Sequence, residues 1–143
     1  MQGQSLLPTL LGRAGAKREA VFSERNWHDN FDPIRSVRTA RHKLILNAAP
    51  HFPYRPALDL EDSPSWQLMR RMARRGGLTD NQRSLFSPTR PMLELYDVVK
   101  DPNERNNVVD DPTYAAVRAD LVKRLGQWMH QTYDFLPLVP MPL

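Results

Sequence analysis

Residues 34–47 read IRSVRTARHKLILN. The segment holds two runs of strand-forming residues, IRSVRT (34–39) and KLILN (43–47), separated only by Ala40, Arg41 and His42. A connection that short fits a hairpin, because a parallel return needs about a dozen residues or more of crossover. A shorter run, AVFSE (20–24), precedes the pair, and LELYDV (93–98) supplies a fourth strand candidate. Together they predict a small four-stranded antiparallel sheet.

A sheet this small needs a cover for one face. Asp111 is placed to cap a helix and Pro112 to start it, after which Val117, Leu121, Leu125 and Trp128 recur at helical spacing on one face. The expected class is therefore α+β, a sheet packed by a long C-terminal helix. Before the last strand comes an insert, 48–91, which opens with AAPHFPYRPALDLEDSP, a stretch too proline-rich for regular structure to be expected. Ser63 and Pro64 then start a helix that runs through Trp66, Met69 and Met72 and ends at Gly76 and Gly77. Thr79 and Gln82 have the spacing of a capping box for one more short helix. An insert of this length without a strand is expected to be functional or interfacial.

Residues 1–19 carry Leu6, Leu7, Leu10 and Leu11 and then the basic stretch GRAGAKRE. Such a patch is worth keeping only against a partner surface, so this segment reads as the tail of a missing domain plus a linker. The domain proper is expected over 20–135, with 136–143, LPLVPMPL, as an extended apolar tail.

The chain has 143 residues, 41% hydrophobic and 25% charged, the composition of one globular domain. No apolar run approaches the roughly 20 residues that cross a bilayer, and the N-terminus lacks the basic start of a secretory signal. No membrane partner is expected, and no compartment follows from these residues. Cysteine is absent, which excludes disulfides, thiolate metal sites and a cysteine nucleophile in this chain. His28, His42, His51 and His130 lack the spacing of a metal site, and no phosphate loop or nucleophile elbow occurs. The net charge of +4 favours anionic partners. Nucleic acid is not expected, since the aromatics do not interleave with the basic residues as stacking platforms.

Two stretches carry candidate chemistry. Arg70, Arg71, Arg74 and Arg75 share one side of the insert helix, either as an anion-binding face or as a solvated one. Trp27, His28, Asp29, Asp32 and Arg35 combine a flat apolar surface, a group titrating near neutrality, two acceptors and a forked donor. That set suits a polyhydroxylated anionic ligand. It equally suits a loop of Asx turns with Trp27 anchored in the core and Asp32 paired to Arg35.

Three blocks resemble a known family. GQSLLPTLLG (3–12) is similar to the segment that closes the catalytic domain of sulfatases, and VFSERNWHDNFDPIRSVRTARHKLILN (21–47) to the first strands of their C-terminal subdomain. RPMLELYDVVKDPNERNNVVDDPTY (90–114) resembles the strand, turn and helix start that follow. The pairing of WHD with DPIRSVRT resembles the branch containing heparan N-sulfatase, the sulfamidase. The resemblance implies the C-terminal portion of an alkaline-phosphatase-like hydrolase of sulfate esters or sulfamates, a family often exported, periplasmic or lysosomal. It also implies a formylglycine, made from Cys or Ser in Cys/Ser-x-Pro-x-Arg, and a calcium held by Asp and Asn, both expected in the missing catalytic domain. By resemblance His28 and Asp29 contact sugar hydroxyls or an amine and Arg35 supports or pairs an anionic group. No catalytic residue and no metal ligand is expected in this chain, so it is expected to be inactive alone. A catalytic-domain chain is a possible partner, and a freestanding module for sulfated or anionic glycans is the rival reading.

Overall fold

A computed structural model describes residues 3–15, 18–134 and 136. The chain begins with a short helix, α1 (Leu7–Leu10), on which Leu6, Leu7, Leu10 and Leu11 are all more than half exposed. Four strands follow, β1 (Val21–Trp27), β2 (Phe31–Arg38), β3 (His42–Asn47) and β4 (Leu93–Asp97), paired antiparallel in the order β1-β2-β3-β4. Val37 lies opposite Leu44 and Arg35 opposite Leu46, and β4 extends those rows with Leu95 and Leu93. Because side chains alternate along a strand, both rows face the same side of the sheet.

The long C-terminal helix, Ala115–Gln131, covers that side and buries Leu121, Val122, Leu125 and Met129 against the two rows. The periodicity located this face correctly at Leu121 and Leu125. Trp128 sits at its margin and stacks flat on Phe22 of β1, with centroids 5.2 Å apart and planes 2° from parallel. Asp111 does cap, accepting from the Thr113 amide at 2.8 Å, but Pro112–Tyr114 forms a single 3-10 turn before the α-helix starts at Ala115.

Sequence reading ended the first strand too early and began the second too late. β1 runs on to Trp27 and β2 already starts at Phe31, so the polar break shrinks to His28, Asp29 and Asn30. β1 is an edge strand whose residues are mostly exposed, so no apolar alternation was needed to mark it. Pro33 disguised the start of β2. It lies where the register shifts between Arg25 and Trp27, a bulge in which a residue without an N–H loses no ladder bond.

The insert comprises α2 (Leu58–Glu61), α3 (Pro64–Arg75) and α4 (Asp80–Arg83), the last continued by a 3-10 turn, Ser84–Phe86. The C-terminal helix is accordingly α5. Ser63 Oγ accepts from the Trp66 amide at 3.2 Å, and Gly76, at φ 73°, ends α3 in the left-handed region. The Thr79–Gln82 capping box is present. Trp66 stacks on Phe86, centroids 5.1 Å apart, and meets Tyr54 edge-on, which gives the insert a small core of its own. Replacing Ser63 by Ala removes the acceptor of one otherwise orphaned amide. The expected cost is about 1 kcal/mol, seen as faster amide exchange in 64–75 with the sheet amides unchanged.

Of the expected apolar tail, 136–143, only Leu136 is among the described residues, and it is buried.

Candidate functional site

β1 and β2 converge on a turn closed by the His28 N–H, which donates to the Asn30 carbonyl at 3.3 Å. Asp29 Oδ2 accepts from the Leu58 amide at 2.8 Å and lies 2.8 Å from His28 Nδ1. One carboxylate thus ties the hairpin tip to the first turn of α2 and orients the imidazole. The Leu58 amide, followed by His28, holds the Asp29 carboxyl below its ordinary pKa. His28 remains 68% exposed at its side chain, with Nε2 unpartnered among the described residues. Trp27 beside it is 66% exposed and leans on Phe31, centroids 5.1 Å apart. It is therefore a surface residue and not a core anchor.

A cleft of about 390 Å³ opens between this hairpin tip and the proline-rich start of the insert. His28, Asp29, Phe31, Phe52, Arg55 and Arg90 are among its walls. Asp32 lines it as well, accepting from Arg25 and, at 2.5 Å, from Arg90. Three guanidiniums, Arg25, Arg55 and Arg90, therefore meet two carboxylates in this cleft, and both carboxylates are already engaged.

Arg35 is elsewhere. Its side chain is 1% exposed, on the helix-facing side of β2 in line with Val37. It forks onto Asp134 just beyond α5, donates to the carbonyls of Arg25 and Ile34 at 3.1 and 2.9 Å, and to Asn26 Oδ1 at 2.8 Å. All of its N–H groups are spent on the protein. The carboxylate onto which Arg35 forks is Asp134, and Arg35 is not among the residues lining the cleft. The Asp32–Arg35 pair is not formed either. An odd spacing of three along a strand sends two side chains to opposite faces.

No protein-family profile matches the chain. An ulvan-active sulfatase of Formosa agariphila is 30% identical over 131 residues, covering 90% of this chain and 22% of that protein. The human N-sulphoglucosamine sulphohydrolase is 30% identical over 137 residues, covering 94% of this chain and 27% of that one. A solved 2-O GAG sulfatase superposes with a TM-score of 0.56 at 27% identity, over 93% of this chain and 21% of that one. Over nearly its whole length the chain is similar to sulfatases. It corresponds to a C-terminal sulfatase portion and spans only 22% to 27% of the length of the curated relatives it matches. A further solved structure, of a protein complexed with its substrate D-glucosamine-2-N,6-O-disulfate, shares the fold at 20% identity, with a TM-score of 0.58 over 98% of this chain and 22% of that one.

Among the described residues no three His, Cys, Asp or Glu side chains are grouped to hold a metal ion. The sequence has no cysteine, and none of its prolines follows a Ser-x pair; SPTR (87–90) has its proline one place early. What sequence reasoning missed in this sulfatase portion is the cationic side of the cleft, Arg25, Arg55 and Arg90. Arg25 could have been found by extending β1 past Glu24. Arg55 and Arg90 lie near opposite ends of the long insert, and no local pattern brings them to the hairpin.

No helix among the described residues is long and apolar enough to cross a membrane.

Proposed function

We propose that this chain forms one wall of a sulfatase substrate pocket for a sulfated carbohydrate. His28 and Asp29 face sugar hydroxyls or an amine, while the nucleophile and calcium belong to a catalytic portion outside these residues. The carrying observation is the Asp29 carboxylate, which holds His28 and the insert together at the mouth of a cleft. An imidazole with one nitrogen oriented and the other open is suited to a directed hydrogen bond. The substrates named for the relatives, ulvan, GAG and N-sulphoglucosamine, support a sulfated glycan as the ligand class. The exposed leucines of α1 support a further surface on this chain for the catalytic portion to cover.

The rival, a freestanding module for anionic glycans, has the exposed Arg71, Arg74 and Arg75 of α3 in its favour. Both readings are separated by titrating the 15N-labelled chain with N-acetylglucosamine 6-O-sulfate. The pocket reading expects amide shifts centred on His28, Asp29 and Leu58, and about fivefold weaker binding in His28→Ala. Shifts confined to 64–75, untouched by that substitution, would assign binding to α3 instead.

A further inference from the structure

We infer that Arg55 is a specificity-determining clamp for an anionic substituent of the ligand. The inference rests on the pocket reading above and extends it to substrate chemistry. The group to be hydrolysed must meet a nucleophile that these residues do not contain, so an anion held at Arg55 is a second one. The substrate class is then a glycan carrying at least two anionic groups close together.

Three features of the cleft carry this. Arg55 is exposed, lines the cleft, and has no hydrogen bond or ion pair among the described residues. Arg25 and Arg90 already share the single carboxylate of Asp32, and Asp29 is taken by the Leu58 amide and His28. The cleft thus keeps surplus positive charge with no internal anion to absorb it. The second feature is rigidity. Arg55 stands between Pro53 and Pro56; the residue before a proline is confined to extended backbone, and the bond from Leu58 to Asp29 pins the segment's far end at 2.8 Å. Little backbone entropy remains to be lost there when a ligand arrives. The third is the surroundings: Phe31, Phe52, Pro53 and Pro56 supply apolar walls, which lower the local dielectric and strengthen an arginine fork on sulfate or carboxylate.

The test uses the whole chain and two probes, N-acetylglucosamine and its 6-O-sulfate, followed by amide and arginine side-chain NMR signals. The sulfated sugar is expected to bind about tenfold more tightly than the neutral one, with the Arg55 Nε–H signal shifting only for the sulfated sugar. Arg55→Gln should bring the two affinities within about twofold of each other, and Arg55→Lys, a point charge without the fork, should recover only part of the preference. Arg55 makes no internal contact of this kind, so an otherwise unchanged spectrum verifies that the variants fold. His28→Ala should weaken both sugars alike. If it does, yet Arg55→Gln leaves the sulfate preference intact, the clamp is overturned while the pocket reading stands. If His28→Ala changes neither affinity, or neither sugar perturbs the cleft, the pocket reading fails and the clamp fails with it.

Discussion

The purified chain is expected to release no sulfate from an aryl sulfate or an N-sulfoglucosamine substrate, even at high protein concentration. The expectation follows from composition and spacing. There is no cysteine and no Ser-x-Pro-x-Arg from which a formylglycine could be made. Loss of a catalytic nucleophile alone costs on the order of a millionfold in kcat, and loss of a Lewis acid that offsets charge on the transferred group adds to it. The residues lining the cleft can bind, orient and neutralise, and they include no Ser, Thr, Cys or Lys to serve as a nucleophile. Sulfate release by a contaminant-free preparation, scaling with chain concentration, would overturn this assignment of roles.

Truncating Arg35 to Ala is expected to bring the domain close to unfolding. Arg35 and Asp134 are 1% and 3% exposed at their side chains, and removal of one leaves the other charged and buried. Breaking such a pair costs about 3–5 kcal/mol, a large share of the roughly 5–15 kcal/mol that stabilises a typical domain. Urea unfolding measures it as a lower midpoint. A double replacement, Arg35→Met with Asp134→Leu, is expected to recover most of the loss because no uncompensated charge remains. A single substitution costing less than about 1 kcal/mol would mean that the pair is solvated.

The same pair predicts a pH dependence. The Arg35 fork holds the Asp134 carboxyl below its ordinary pKa, and Arg41, with the Lys100 amide and the Tyr114 hydroxyl, does the same for the buried Asp97. Lowered folded-state values mean that the unfolded chain binds protons first as pH falls. Both contributions are complete above the ordinary aspartate pKa of about 3.9 and are lost as pH drops below it toward the folded-state values. Acid unfolding should therefore steepen below about pH 4, and less so in Asp134→Asn, whose side chain carries no such proton linkage.

Elements whose cause lies in a few neighbouring residues were legible without coordinates. Ser63 before Pro64, Gly76 after the last helical residue, and Thr79 three places before Gln82 each satisfy backbone groups within one turn, so their meaning does not depend on the rest of the chain. Leu121 and Leu125 marked the covered face of α5 for the same reason. Reading failed where the environment was set by distant partners. Met129 is fully part of the core although the spacing argument stopped at Trp128, because the helix margin is decided by where β1 ends and Phe22 stacks. Likewise β1 shows little apolar alternation, since most of its residues face solvent at the sheet edge.

The sequence by itself determined the antiparallel hairpins, the limits of α3, the sulfatase resemblance and the absence of a formylglycine precursor, all of which depend on residue identity over short spans, whereas α2, Leu58–Glu61, formed inside a stretch read as too proline-rich for regular structure. Only the tertiary structure decided which arginines face the cleft. Arg35 is drawn inward because Asp134, 99 positions away, meets it behind the sheet, whereas Arg55 and Arg90 reach the hairpin tip because the insert folds back onto Asp29 and Asp32. Charge alone does not distinguish the two fates. The partner that each guanidinium finds once the chain has closed does, since a buried fork must spend every donor on the protein and an exposed one need not.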